Sequence, residues 1–125
     1  MLKRKTRWIL GVGITVFLFG PTLAAHLAVT KTEPEANTTV ESPSLVQIWF
    51  TQKPELVVST LNLKQGDLDV SISDVEAGRD NSLVARVDDV LPSGNYIVEW
   101  KTAGDDGHVL RGEFSFSVSN VVAQR

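Results

Sequence analysis

The sequence predicts an all-β domain, a seven-stranded Greek-key sandwich or barrel of immunoglobulin-like shape, preceded by a signal-peptide helix. From residue 26 onward, short segments alternate between apolar and polar residues, and clusters of turn residues separate them. No stretch of this region shows a helical period. Seven such segments within about 100 residues are typical of a two-sheet sandwich. Residues 121–125 are expected to form a frayed tail.

Residues 1–25 have the layout of a secretory signal peptide. A basic start, residues 3–7, precedes an apolar run over residues 8–19, which is followed by a helix-breaking Gly-Pro pair and by small residues. We therefore expect export to a bacterial periplasm, with cleavage after Ala25. The alternative is an uncleaved membrane anchor, because residues 8–25 are just long enough to span a bilayer.

Alternation and the intervening turns set the predicted strands, which cover residues 27–32, 45–51, 57–63, 68–73, 82–87, 95–101 and 113–119. The last strand alternates most clearly, with Phe114, Phe116 and Val118 expected inside and serines outside. Tyr96 follows a Leu-Pro-Ser-Gly-Asn turn and is expected to form a tyrosine corner. Trp49 lies on the face opposite its apolar neighbours, so we expect it either to be partly exposed or to pack under a loop.

Charge and composition exclude several classes of function. The formal charge of −3 combines +4 over residues 1–25 with −7 over residues 26–125, and so acidic a domain argues against binding nucleic acid. The absence of cysteine excludes disulfides, thiolate zinc sites, iron–sulfur clusters and cysteine nucleophiles. Since the chain has only two histidines, His26 and His108, any histidine-based site must use them.

These two histidines and one carboxylate form the candidate metal site. Asp106 and His108 are two positions apart, so in an extended segment their side chains point the same way. Taken alone, an Asp-x-His pair is more often part of a turn. If cleavage falls after Ala25, however, His26 becomes the first residue, and its α-amine and imidazole Nδ1 together can chelate a metal ion. Three nitrogens and one oxygen suit tetragonal Cu(II). The alternative is that the two histidines are unrelated surface residues.

Two stretches of the chain carry a family signature. His26 is followed by a proline eight positions later, and residues 91–116 contain the spacing Leu-x-x-Gly-x-Tyr-x-Val-x-Trp, then Asp-x-His-x-x-x-Gly, then Phe. In these features residues 26–120 resemble the CopC family of bacterial periplasmic copper-resistance proteins. The resemblance implies a CopC-like β-sandwich over that range, with Cu(II) bound by His26, Asp106 and His108.

Two departures from the family's pattern concern the site. Members often carry a glutamate in a Phe-Ser-Glu motif, whereas the matching stretch here is Phe50-Thr51-Gln52, so an amide replaces the carboxylate. We expect Gln52 behind the direct ligands, where such groups orient them. Some members also have a methionine-rich Cu(I) site, which this chain lacks because its only methionine is Met1.

The preferred interpretation is an exported Cu(II)-binding protein, not an enzyme, that buffers, sequesters or hands on copper. The resemblance suggests a CopD-like inner-membrane partner. One alternative is a metal-free immunoglobulin-like interaction module that binds through Trp49 and its strand edges. Another alternative is an oxidative enzyme, because polysaccharide monooxygenases also bind copper through the α-amine and imidazole of a terminal histidine, a chelate called a histidine brace. An oxygen of Asp106 in the copper plane argues against that enzyme, because it occupies a position that oxygen chemistry needs open.

Overall fold

Two β-sheets enclose the core in the computed structural model, which describes residues 26–120. In chain order the elements are β1 Val29–Glu33, β2 Thr39–Val40, β3 Leu45–Phe50, the 3₁₀ turn Leu56–Val58, β4 Thr60–Gln65, β5 Leu68–Val70, β6 Glu76–Gly78, β7 Ser82–Arg86, β8 Gly94–Ala103 and β9 Val109–Val118. The first sheet has the order β1-β3-β7-β6, and the second has the order β2-β9-β8-β4-β5. All neighbouring strands are antiparallel except β2 and β9, which are parallel.

The all-β prediction is confirmed, and the core follows the alternation seen in the sequence. On β3, the buried residues Val46 and Ile48 alternate with half-buried ones. On β9, the side chains expected inside are buried and pack with those of β8, where the Tyr96 and Phe116 rings stack with centroids 5.6 Å apart. Each fully buried large apolar side chain contributes about 1.5–3 kcal/mol relative to exposure, so this packing makes a substantial contribution to the stability of the sandwich.

Residues 26–120 form nine strands where the sequence predicted seven. β2 and β6 are the additions, with two and three residues, and such short strands are too brief to show a period. The predicted strand 57–63 is wrong at its start, because Val58 and Ser59 donate backbone hydrogen bonds within the turn and β4 begins only at Thr60. The predicted strand 68–73 ends early, at Val70.

Two other strands differ from the prediction at their first residues. The first strand begins at Val29 rather than at residue 27. The last predicted strand is only the second half of β9, which begins at Val109 and lies along the whole of β8. The predicted signal peptide, residues 1–25, and the predicted tail, residues 121–125, lie outside the described residues. Within residues 26–120, no helix has the length and apolar character needed to cross a membrane.

Two expectations for single aromatic residues are confirmed. Tyr96 is fully buried, and its hydroxyl donates a 2.6 Å hydrogen bond to the carbonyl of Pro92, which is the expected tyrosine corner. Burial raises the pKa of this phenol above its usual 10.0. Trp49 is half-buried, and the Lys31 ammonium lies 4.4 Å from its ring centroid. This cation–π contact covers one face of an indole that the core does not enclose.

The β8–β9 hairpin connects the core to the candidate site. Ten residue pairs join the two strands, from Gly94 and Val118 at one end to Ala103 and Val109 at the other. The connecting loop, residues 104–108, therefore emerges from the best-paired part of the second sheet.

Candidate metal centre

The loop over residues 104–108 closes as a tight turn. The backbone N–H of Gly107 donates a 3.0 Å hydrogen bond to the carbonyl of Gly104. Gly107 has a φ of +78°, a left-handed conformation that glycine adopts without the steric cost of a Cβ. The turn leaves Asp106 and His108 on the surface, as expected for residues that could bind a metal ion from solution.

Asp106 and His108 hold each other through two hydrogen bonds. The backbone N–H of His108 lies 3.0 Å from Oδ1 of Asp106, and Nδ1 of His108 lies 3.0 Å from Oδ2. The side-chain bond and then the backbone bond from His108 lower the pKa of Asp106, whereas the same side-chain bond and then the negative charge raise the pKa of His108. Because the carboxylate holds Nδ1, the Nε2 atom of His108 points away from Asp106. It is the ring nitrogen left to bind a metal ion.

His26 lies beside this pair, although it comes from the opposite end of the described chain. Its Nδ1 is 3.9 Å from Oδ2 of Asp106, and its ring centroid is 6.3 Å from that of His108. The side chains are 66% exposed at His26, 41% at Asp106 and 75% at His108. The fold therefore brings the three predicted ligands together at one end of the sandwich.

The burial of Leu27 and three hydrogen-bond contacts from Thr51 set the position of His26. The next residue, Leu27, is buried in the core cluster with only 6% of its surface exposed. Thr51, just after β3, accepts a 3.0 Å hydrogen bond from the Ala28 N–H through its hydroxyl and donates its own N–H to the Ala28 carbonyl at 2.8 Å. The same hydroxyl reaches the His26 carbonyl at 3.5 Å. Thr51 was not among the residues that the sequence singled out, and its signal is a hydroxyl directly after a buried strand.

Gln52 lies between the loop and the N-terminal segment. A Cβ atom built on Gly104 would be 2.8 Å from Oε1 of Gln52 and 3.3 Å from Cβ of Leu27. The amide therefore packs against the first residue of the site loop. That position is compatible with the predicted orienting role, which stays a prediction.

The donor set fits a metal ion, although it is not arranged as a finished site. Two donors that each lie about 2 Å from one ion are about 3–4 Å apart. The 3.9 Å between Nδ1 of His26 and Oδ2 of Asp106 falls in that range, whereas the 3.0 Å between Nδ1 of His108 and Oδ2 is a hydrogen bond that leaves Nε2 of His108 as its free donor. Within residues 26–120, however, no three His, Asp or Glu side chains already form a metal-binding group. Metal binding therefore requires the imidazoles to reorient and, for a fourth donor, the α-amine of a chain that starts at His26.

Comparison with known proteins identifies the family. The family model described as the CopC domain matches residues 29–119. The chain belongs to the CopC domain family. Asp106 and His108 lie within the matched range, while His26 lies just before it, so the match does not itself include the N-terminal histidine.

Two relatives of this CopC-family chain have names related to copper. It is 26% identical over 120 residues to copper resistance protein C of Xanthomonas campestris pv. juglandis, covering 86% of this chain and 94% of that protein. It is 26% identical over 121 residues to the copper transport protein CutJ of Bacillus subtilis strain 168, covering 94% of this chain but 22% of that protein.

A solved structure confirms the fold. PcoC, a methionine-rich copper resistance protein from Escherichia coli, superposes with a TM-score of 0.70 and 26% identity, covering 76% of this chain and all of PcoC. The sandwich architecture of this CopC-family chain is therefore shared with PcoC. Its composition is different, because its only methionine is Met1.

Proposed function

We propose that this CopC-family chain is a periplasmic Cu(II)-binding protein of copper homeostasis, with His26, Asp106 and His108 as ligands. The observation that carries the proposal is the 3.9 Å approach of Nδ1 of His26 to the carboxylate of Asp106, which already holds His108. Three side chains that can each bind a metal ion, from segments remote in sequence, thus lie together on an exposed surface. Their proximity supports the binding of one metal ion by all three.

The chemistry of the donors favours Cu(II). If the signal is cleaved after Ala25, His26 supplies its α-amine and Nδ1, His108 supplies a third nitrogen, and Asp106 supplies one oxygen. Such a tetragonal N,O set suits Cu(II), whereas Cu(I) prefers thiolate or thioether sulfur. A chain that starts at His26 contains neither cysteine nor methionine. The names of the relatives support copper as the metal, and the donor types favour the oxidised ion.

The proposed role is to buffer, sequester or hand on copper rather than to catalyse a reaction. The three side chains are largely exposed, so the metal would sit on an open surface. A carboxylate ligand would also occupy a copper position that an oxygen-activating enzyme keeps available. An interaction module that binds through Trp49 is less well supported, because Lys31 already covers that ring.

The proposal includes a membrane partner of the CopD type, and exposed apolar residues around the loop support a contact surface there. The turn Leu56–Val58 exposes three successive apolar residues, with Val57 94% exposed, and the preceding Glu55 N–H is bonded to the carbonyl of Ala103, next to the loop. Val109, directly after His108, is 52% exposed. The match of this chain to 22% of the copper transport protein CutJ also supports a domain that can work as part of a larger assembly.

Export and processing are part of the proposal. We expect the protein in the periplasmic fraction, with an intact mass equal to that of a chain starting at His26. Uncleaved protein held in the membrane by residues 8–25 would contradict the proposed chelate, because the nitrogen of His26 would then be a peptide nitrogen.

A titration with Cu(II) tests the function. Protein starting at His26 should bind one equivalent and develop a d–d absorption band. A matched control carries the extension Gly-Ser-Gly-Ser before His26, which removes the terminal amine from the chelate but keeps every side chain. The control should bind more weakly and with a shifted band. Failure of the His26-first protein to bind one equivalent, or turnover of ascorbate and oxygen by the loaded protein, would overturn the proposal.

A further inference from the structure

We propose that the hydroxyl of Thr51 is a positioning group that holds the backbone of His26 and Ala28 so that His26 can reach the metal. The inference rests on the proposed function, because it concerns how one ligand of that site is fixed. It adds a residue outside the ligands themselves, and one that differs in role from Gln52.

A terminal ligand presents a physical problem. Chain ends fray unless they are tied down. The burial of Leu27 anchors the chain one residue after His26, but it leaves rotation about the bonds between them. A chelate that uses both the α-amine and Nδ1 needs the whole residue to face Asp106, so the backbone of His26 must also be directed.

Thr51 orients the backbone on both sides of Leu27, through contacts with Ala28 and with His26. Its hydroxyl accepts the Ala28 N–H at 3.0 Å and reaches the His26 carbonyl at 3.5 Å, which is the long limit for a hydrogen bond. A hydroxyl has one hydrogen to donate and two lone pairs to accept with, so both contacts can exist together. The backbone N–H of Thr51 adds a 2.8 Å bond to the Ala28 carbonyl that does not depend on the side chain.

This arrangement allows the effect of the Thr51 hydroxyl to be tested without disturbing the fold. Valine has nearly the shape of threonine and is β-branched, so Thr51→Val keeps the backbone bond and the packing and loses only the hydroxyl contacts. Both contacts are exposed, so water can replace them in the variant. The domain should therefore stay folded, while the orientation of His26 becomes less restricted.

The test compares Thr51→Val with Thr51→Ser in protein that starts at His26. Thr51→Val should weaken Cu(II) binding roughly tenfold to a hundredfold, the range for groups that orient ligands, and should alter the EPR spectrum of the bound ion. Thr51→Ser should restore both. Thermal unfolding midpoints of the metal-free variants should match. In the protein extended before His26, Thr51→Val should have a smaller effect on Cu(II) binding, because the amine chelate is absent and only the imidazole of His26 remains to be oriented.

Unchanged affinity and EPR spectrum in Thr51→Val, or no recovery in Thr51→Ser, would overturn the inference. Hydrogen exchange of the Ala28 amide in metal-free protein gives an independent readout, and it should speed up in Thr51→Val and return toward the wild-type rate in Thr51→Ser. Unchanged exchange would also contradict the inference. If the wild-type His26-first protein bound no Cu(II), the proposed function would fail, and a faster Ala28 exchange would then limit Thr51 to ordering the chain end.

Discussion

Asp106 accepts two hydrogen bonds from His108, one from its backbone N–H and one from its Nδ1, each 3.0 Å long. One carboxylate thus fixes both the backbone and the ring of the neighbouring imidazole, and its Oδ2 also faces His26 at 3.9 Å. Asp106 is therefore the central residue of the trio. It can act as a ligand, as the group that orients His108, or as both.

The two members of this pair should differ in what they contribute to metal binding. His108→Ala removes a nitrogen donor and should weaken Cu(II) binding by more than about a hundredfold, beyond the range for groups that only orient ligands. Asp106→Ala should cost less, because imidazole matches Cu(II) better than a carboxylate does. Isothermal titration of protein starting at His26 measures both.

Asp105→Ala is the matched control, because it removes an exposed carboxylate from the same loop. It should leave the affinity nearly unchanged. Both Asp106 and His108 are exposed, so neither substitution should unfold the domain. Equal losses for Asp105→Ala and Asp106→Ala would mean that net charge, rather than position, controls binding.

The pH dependence of the metal-free pair follows from its two pKa shifts. The pKa of His108 is raised above 6.5, so its contribution to stability is complete below 6.5 and is lost as the pH rises through the folded-state pKa. The pKa of Asp106 is lowered below 3.8, so its contribution is present above 3.8 and is lost as the pH falls through the folded-state pKa. The pair therefore makes its full contribution to stability between pH 3.8 and pH 6.5, the two reference pKa values.

NMR titration of the His108 ring protons measures this directly. The midpoint should lie above 6.5, and Asp106→Asn should move it down toward that value, because the chief cause of the shift is the side-chain hydrogen bond to Asp106. Asp105→Asn should leave it nearly in place. A midpoint at or below 6.5 in the unsubstituted protein would show that the two side chains do not pair in solution.

The contact between Gly104 and Gln52 predicts how the loop and the N-terminal segment are coupled. Gly104→Ala places a Cβ 2.8 Å from Oε1 of Gln52 and 3.3 Å from Leu27, so the amide or the segment beneath it must shift. We expect weaker Cu(II) binding with a largely intact fold. Gln52→Ala should weaken binding by about a hundredfold at most, as for groups that orient ligands.

Combining the two substitutions provides the check. If Gly104→Ala acts by displacing Gln52, the double variant should bind no more weakly than the worse single variant, since coupled residues are not additive. Fully additive losses in the titration would show that the two residues act separately.

The second sheet contains one glycine whose size is essential. A Cβ on Gly112 would overlap Cζ2 of Trp100 and lie 2.7 Å from its Cε2, and Trp100 in turn meets Phe50 edge-on with ring centroids 5.5 Å apart. Gly112→Ala should destabilise the fold by about 1–3 kcal/mol, as overpacking does. Urea unfolding measures the change, and an unaltered midpoint would mean that the indole has room to move.

Much of the fold could be predicted because the sandwich core depends on period-two alternation. Regions with another cause of structure could not. At Leu56–Val58 three apolar residues have strand composition, but turn hydrogen bonds from Val58 and Ser59 bend the backbone instead. The β2 strand has only two residues, and it exists because it pairs with the far end of β9.

Part of the candidate site was predictable, but the structure shows a different cause for the position of its residues. Asp106 and His108 were expected to share a face of extended chain. They are close because of a turn with Gly107 in a left-handed conformation, so the juxtaposition was right and its cause was different. A hydroxyl directly after a buried strand is the only local signal at Thr51, and its contacts could not be predicted from it, because the partners His26 and Ala28 are remote in sequence. The assignment of the ligands themselves stays a prediction.

The choice of metal and its dependence on pH should reflect three nitrogen donors. An α-amine has a pKa of roughly 7.7–8.0 and a histidine of about 6.5, so copper must displace protons, and affinity should fall more steeply than for a one-proton site below neutral pH. Cu(II) should bind more tightly than Zn(II), which prefers a tetrahedral site. Competition titrations at several pH values test this, and equal affinities or a flat pH profile would contradict the amine as a ligand.

The most direct test of the central claim is an EPR spectrum of Cu(II) bound to protein that starts at His26. The account predicts a tetragonal signal with superhyperfine coupling to three nitrogens: the α-amine, Nδ1 of His26 and one nitrogen of His108. The Gly-Ser-Gly-Ser extension should lose the amine coupling, and His108→Ala should lose one imidazole coupling. A spectrum that is the same for all three proteins would show that copper binds elsewhere on the chain.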